Sequence, residues 1–525
     1  MATKPEIAMR KVASVNPATG EVLREFDSAS YPEVREAVER ARAAQNAWVT
    51  VPLRQRIAVI RKFQQLLLHK SAEVARLISS EAGKPTVEAL TTEVLVVLDL
   101  ARFCIENAGT VFRDEHVTHG SLAMKTKSGR LLREPYGVIG IISPWNYPFS
   151  IPAGESLAAL LAGNAVVLKP SEFTSLIALE LRALLHQAGV PKDLFQAVIG
   201  DGTTGAALVS SKIDKLIFTG SVSTGKRIAQ NAADRLLPVV LELGGKDPML
   251  VLDDADIDIA SSGAVWGAFM NAGQTCLSVE RCYVHRSIYD AFLEACVRKT
   301  KQLHVGDGMD AQTDVGPMIH ERQLRIVESQ VEDAVARGAR VLIGGARLLQ
   351  LGPNFYAPTV LGDVTREMRI MQEETFGPVL PVMSFETQDE AIELANHSEY
   401  GLAASVWTRD RARGEAVARR LAAGTVMVND AVSCFGISEA PHGGVKASGI
   451  GRTHGRLGLE EMVRVKYVSS EVMPGLKKAW WYPYGPDFLR HIDGLLQMLF
   501  AGSALRKVRA LPRAIGTFLV GKGKL

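Results

Sequence analysis

The chain reads as an α/β protein organised around parallel sheet, and three observations predict this. Segments 137–143, 165–168, 196–199, 215–219 and 238–243 are short, apolar and rich in β-branched residues. Helical patterns such as 175–188 and 223–234 separate them, and continuously apolar strands alternating with helices mean a parallel sheet covered on both faces. The alternation resumes at 281–285, 379–382, 403–407 and 426–429, with helices near 287–302, 320–337 and 410–421. That second set predicts a second α/β domain.

The N-terminal portion is different. Val15-Asn-Pro-Ala-Thr-Gly20 lies between two short strand patterns, and Asn-Pro and Thr-Gly favour chain reversal there. Helical periodicity then runs to about residue 108, with Val34, Val38 and Ala41 on one face and Ile60, Phe63 and Leu67 on another. Residues 111–135 are polar and β-like, an excursion from the main body.

Length and composition narrow the class. A chain of 525 residues, 47% hydrophobic and 22% charged, is a soluble globular protein of two or three domains. A net charge of +3 is too small to imply a nucleic-acid partner. Five cysteines without a CxxC pair imply neither a disulfide framework nor a metal site. With no apolar h-region at the start and no run of 18 apolar residues, a cytoplasmic location is expected.

The chemistry is expected beyond the carboxyl ends of the strands, where α/β sheets bind ligands. Asn271-Ala-Gly-Gln-Thr-Cys276 is a glycine-containing loop ending on a cysteine, and Leu241-Glu242-Leu-Gly-Gly-Lys246 places a carboxylate at a strand end. A thiol and a carboxylate on separate turns suit a nucleophile and a general base; the alternative for Cys276 is a small buried hydrophobe. Pro144-Trp145-Asn146-Tyr-Pro148 offers a side-chain amide for an oxyanion, or simply closes its strand. Lys169-Pro-Ser-Glu172 reads as a pair of ribose contacts or as a surface turn. Phe218-Thr-Gly220-Ser221-Val-Ser-Thr-Gly225-Lys226 follows a strand and opens a helix, a place that suits a pyrophosphate. Arg227 stands where a P-loop needs Ser or Thr, and Gly-x-Gly-x-x-Gly is absent, so phosphate binding and a plain turn both remain open.

Together these segments, in this order, resemble the NAD(P)-dependent aldehyde dehydrogenase superfamily, from about Val15 to Val468. Glu373-Glu374-Thr-Phe376-Gly-Pro378, Asn396 through Leu402, and Pro441-His-Gly-Gly-Val-Lys446-Ala-Ser-Gly449 extend the likeness. The resemblance implies Asn146 as oxyanion donor, Glu242 as general base and Cys276 as nucleophile, with no metal. It also implies Lys169 and Glu172 at the adenine ribose, Gly220 and Ser221 at the pyrophosphate, Glu374 and Phe376 at the nicotinamide riboside, and Trp145 lining the cleft. The implied fold has a cofactor-binding domain at 1–245 with its excursion 118–135 in an oligomerisation arm, a catalytic domain at 246–434, and a return with a late strand at 435–476. A homodimer or homotetramer would follow.

The expected reaction is oxidation of an aldehyde to its acid through a cysteine thiohemiacetal and thioester, hydrolysed by a water that Glu242 activates. Glu172 favours NAD over NADP, because a carboxylate repels a 2′-phosphate. Alternatives are a succinic-semialdehyde type of substrate and a non-catalytic nucleotide-binding member of the fold. Beyond Val468 the pattern stops. From Lys477 onward nine Lys and Arg face two Asp, a net of +7 that leaves the rest of the chain at −4. Phe488, Ile492, Leu495, Leu496 and Leu499 share one helical face. This tail, 477–525, reads as a membrane-surface element or as a segment packed on protein.

Overall fold

The computed structural model describes residues 10–121, 124–475, 478, 480–482 and 484–519. Two compact units form, one of residues up to 113 together with 134–464, the other of 114–133 together with 465 onward. Numbered along the chain, β1 (Lys11–Val15) and β2 (Val22–Asp27) make a hairpin around the expected turn. β3 (Glu115–Val117) and β4 (Lys127–Pro135) follow four helical segments.

The first large sheet contains β5 (Val138–Ile142), β6 (Ala165–Lys169), β7 (Phe195–Ala197), β8 (Lys215–Thr219) and β9 (Val239–Glu242). These run parallel in the order β9-β8-β5-β6-β7. β5 and β6 are buried at every position, and the helices Tyr31–Trp48, Ser150–Ala162 and Ser175–Ala188 contribute to the same core. This two-sided burial is why the strands are apolar without alternation. The chain goes from β5 outward to β6 and β7, then returns to the other side of β5 as β8 and β9. Strand order therefore reverses between β5 and β8, the position at which open α/β sheets form a ligand crevice.

The second sheet contains β10 (Asp247–Val251), β11 (Val279–His285), β12 (Arg340–Ile343), β13 (Thr359–Gly362), β14 (Val379–Phe385), β15 (Ala403–Trp407) and β16 (Thr425–Val428). Its order is β12-β13-β14-β11-β10-β15-β16, parallel except for β12. It has a core of its own. β17 (Gly449–Ile450) then returns to pair antiparallel with β9. Three of these strands, β10, β12 and β13, are absent from the sequence reading. β10 was concealed by Pro248, a residue that rarely sits inside a sheet; the register with β11 slips between Asp247 and Pro248 to accommodate it.

In the second unit, β18 (Val463–Glu471), β4 and β3 form a three-stranded sheet in that order. Two helices follow, Phe488–Phe500 at the amphipathic segment and Ala504–Leu519, which sequence patterning left unassigned.

Candidate active site

Cys276 follows a backbone that L-residues resist. The helix Ile257–Phe269 ends in a short turn in which Asn271 and Ala272 have φ of 54° and Gly273 a φ of 70°. Left-handed geometry costs an ordinary residue about 1–2 kcal/mol, so the turn has to be held. Asn271 donates its backbone N–H to Glu88 Oε2 at 2.9 Å and its side-chain amide to the Asn146 carbonyl at 3.1 Å. Gln274 donates to the Asn271 carbonyl at 3.0 Å and accepts from the Ile319 N–H at 2.8 Å. A Cβ on Gly273 would strike the Gly377 carbonyl. Cys276 itself is half-buried at the end of this scaffold.

Asn146 lies in the turn after β5, at the strand-order reversal. Its side-chain N–H donates to the Gln274 carbonyl at 3.0 Å, which ties it to the cysteine loop and leaves its second amide hydrogen available. Beneath it, Lys84 and Glu93 form a fully buried ion pair at 2.7 Å. Lys84 also donates to the Asn146 carbonyl at 2.8 Å and lies 3.9 Å from the centre of the Tyr147 ring. Glu93 accepts the N–H groups of Phe149 and Ser150 at 3.0 and 2.8 Å. It sits in a wide π-type turn, Ala89–Val94, between two α-helical stretches.

Glu242 ends β9, and Cys276 and Glu242 line one cavity. Leu100, Phe103, Ile151, Phe435, Leu459 and Met462 give it an apolar wall. Glu155, His442 and His454 also face it, and no Lys or Arg is among its lining residues. His442 Nε2 is 3.7 Å from Glu242 Oε2. Phe435 meets both imidazoles edge to face, at 5.1 and 4.4 Å between centroids. Burial, with Arg452 adding to it, lowers His442 to about 4; burial, with His442 adding, lowers His454 to about 3. Both are therefore neutral at physiological pH. Burial moves the acids the other way: Glu155 rises to about 8, and Glu242 goes well above the usual carboxylate range, with Glu155 reinforcing it. The Cys276 thiol is also pushed well up, first by burial and then by Asp247, Glu374 and Glu242.

The expected cofactor residues occupy neighbouring strand ends. Lys169 closes β6, is 5% exposed, and donates to Glu172 Oε2 at 3.3 Å, so its ammonium retains N–H donors for a ribose oxygen. Gly220 follows β8, and its N–H donates to the Glu242 carbonyl at 3.0 Å. Ser221 caps the helix Val222–Ala233 by accepting from the Thr224 N–H at 3.4 Å. Gly225 packs that helix onto Leu243 so closely that a Cβ would lie 2.5 Å from Leu243 Cδ2. Glu374 Oε1 accepts the Gly245 N–H at 3.1 Å, and a Cβ on Gly244 would press on the same carboxylate at 2.6 Å. Phe376, at φ 53°, meets Trp145 edge to face at 5.4 Å. Glu280 fixes that loop by accepting the N–H groups of Thr375 and Phe376, both at 2.8 Å, and an ammonium hydrogen of Lys246 at 2.7 Å. A helix start, a buried ammonium and an aromatic pair arranged around a sheet crevice fit a dinucleotide. Among the described residues no cluster suited to a metal occurs.

The sequence profile described as the aldehyde dehydrogenase family matches residues 4–468. The chain belongs to the aldehyde dehydrogenase family. It is 39% identical over 516 residues to a 4,4′-diapolycopene aldehyde oxidase from a Methylomonas species, covering 97% of this chain and 95% of the relative. A relative from Mycolicibacterium smegmatis is 39% identical over 456 residues, 87% of each chain, and bears succinate-semialdehyde dehydrogenase, NADP(+)-type, as a provisional name. Among solved structures, an NAD-dependent aldehyde dehydrogenase from Sinorhizobium meliloti superposes with a TM-score of 0.86 at 38% identity, covering 90% of this chain and 93% of that one. This aldehyde dehydrogenase is thus an oxidoreductase of the NAD(P)-dependent kind that oxidises aldehydes to acids.

Sequence reasoning missed the supports. Lys84, Glu93, Glu155, Glu280 and His454 carry no local motif that distinguishes them from surface polar residues. Gln274 stands two residues before Cys276 and Lys246 beside Gly245, and their burial was the missing signal.

Two outcomes follow from this geometry. Lys84→Met leaves Glu93 charged and unpaired in the core, so stability should fall by about 3–5 kcal/mol; an unchanged urea midpoint would contradict the role given to the pair. Cys276 and Glu242 both have raised pKa values and both act deprotonated in the expected chemistry. Hence kcat/KM should climb as pH rises through and above neutrality. A profile that is flat or falls over that range would show that neither group limits the reaction.

Proposed function

We propose that this enzyme oxidises long apolar aldehydes, with Cys276 as nucleophile, Asn146 as oxyanion donor and Glu242 as base. The observation that carries the substrate reading is the cavity beside the thiol: its wall is largely apolar, and its only basic groups are two neutral imidazoles. A substrate with a terminal carboxylate would bring a charge into a buried site with no Lys or Arg among its lining residues, at a cost of several kcal/mol. An apolar chain meets no such penalty. The name of the Methylomonas relative supports the same class.

In this reading Cys276, as thiolate, attacks the aldehyde carbon. The oxyanion accepts the spare amide hydrogen of Asn146 and the Cys276 backbone N–H. NAD(P), when bound, supplies the hydride acceptor that leaves a thioester on Cys276. Glu242 takes a proton from the water that hydrolyses this ester, and the acid product departs. Lys169 and Glu172 would hold the adenine ribose, Gly220 and Ser221 the pyrophosphate, Glu374 and Phe376 the nicotinamide riboside, with Trp145 against Phe376. Glu172 supports NAD as the preferred cofactor.

The same proposal assigns residues 1–245 to cofactor binding and 246–434 to catalysis. It takes β4 and β18 as the arm of a homodimer or homotetramer, in a cytoplasmic enzyme with its tail at a membrane surface. The Mycolicibacterium relative keeps succinic semialdehyde as the second substrate reading.

Cys276→Ala should bind NAD and form no NADH. Glu242→Gln should make one burst of NADH per site and then stall, with the acyl adduct visible by intact mass. Steady turnover by either variant at near wild-type rate would overturn the assignment. Loss of the Asn146 donor should cost about 10²–10³ in kcat. A panel of aliphatic, polyene and ω-carboxy aldehydes, run with NAD and with NADP, should give the highest kcat/KM for long apolar members with NAD. Preference for succinic semialdehyde would refute the substrate class, and preference for NADP would refute the cofactor reading alone.

A further inference from the structure

We propose that the C-terminal helical hairpin is a docking element for an anionic lipid bilayer. Phe488–Phe500 and Ala504–Leu519 pack on each other through their smallest residues. Among the residues described, Gly494, Ala510 and Ala514 are the buried ones, and a Cβ on Gly494 would lie 2.8 Å from the Ala514 backbone nitrogen. Seven large apolar side chains are left outside, while Phe488, Ile492, Leu495, Met498 and Leu499 are half-buried. Leu489, Leu496 and Phe500 fall on one stripe of the first helix, with Leu489 81% and Phe500 77% exposed. Leu505, Val508, Leu511 and Ile515 form a stripe on the second, and all four are exposed. A helix pair folded for water would put these residues between the helices and the small ones outside. Here small residues take the fully buried positions, and the hairpin keeps these seven apolar side chains free for something else.

Two features favour lipid over protein as the occupant. The second helix carries Arg506, Lys507, Arg509 and Arg513 and no acidic residue, a charge that complements anionic headgroups. Trp480, Trp481, Tyr482 and Tyr484, just before the hairpin, are exposed, as aromatic rings are where they rest at the headgroup boundary. Among the described residues no helix is long and apolar enough to cross a membrane, so the hairpin would lie in the surface. The segment is also separate from the catalytic module. The family match stops at residue 468, whereas the alignment to the Methylomonas protein covers 97% of the chain and so takes in most of the hairpin. Docking stands whether or not the apolar-aldehyde reading holds; if both hold, the enzyme is concentrated where such aldehydes dissolve.

The test is co-sedimentation of the full-length enzyme with phosphatidylcholine vesicles, with and without phosphatidylglycerol. Two double variants are compared with wild type: Phe500→Asp with Val508→Asp, and Arg506→Glu with Arg509→Glu. All four positions are exposed, so the fold should persist, and activity on a small soluble aldehyde reports on it. Wild type should pellet with the phosphatidylglycerol vesicles, weakly with phosphatidylcholine alone. Each variant should partition at least about tenfold less while keeping wild-type turnover of the soluble aldehyde. Wild type remaining in the supernatant, or variants pelleting equally, would overturn the proposal. So would a drop in oligomer size for the aspartate variant, which would make this face a contact between copies of the chain.

Discussion

The site depends on keeping a strained turn and a buried ion pair in register. Asn271, Ala272 and Gly273 all adopt left-handed geometry, and no single contact offsets that. The offset comes from a lattice in which Asn271 and Gln274 use both side chains on backbone groups, and in which the Asn146 carbonyl accepts from Lys84 and from Asn271. Lys84 is held by Glu93, and Glu93 in turn gathers the N–H groups that open the helix Ser150–Ala162. Asn146 and the thiol loop are therefore positioned by one network. A buried pair of this sort adds little net stability, and its use is geometric, because few alternative arrangements satisfy all its partners.

This network is the part that sequence reading could not reach. Strands β8 and β15 and the helix 175–188 have the boundaries read from apolar periodicity, because local pattern and global burial agree there. Cys276, Glu242 and Asn146 were legible through glycine-containing turns at strand ends. Lys84 and Glu93 look like any exposed charged pair until the chain folds, since nothing in nine residues of separation announces complete burial. Pro248 shows the opposite failure. A residue that argues against a strand sits inside a central one, tolerated because the register slips beside it. The tail was half legible: its first helix shows as a clean apolar face. The second, interrupted by Pro512 and crowded with arginine, reads as breaker and charge.

The cavity shows how burial decides chemistry that residue types leave open. Two histidines, two glutamates and a cysteine could in principle form a charged relay, a metal site or a carboxylate clamp. Desolvation works in one direction on all five, against charge: the imidazoles fall below the physiological range while the acids and the thiol rise above their usual values. Charge is thus disfavoured throughout the resting site, whose wall is largely hydrocarbon. That combination suits an apolar aldehyde and a charge that develops only at the carbonyl oxygen, to which the role proposed for Asn146 is to donate its spare hydrogen. It is equally unsuited to holding the carboxylate that the reaction makes. Once the thioester is cut, the product is an anion in a cavity with no Lys or Arg among its lining residues, so the environment that disfavours a carboxylated substrate also favours release of a carboxylated product.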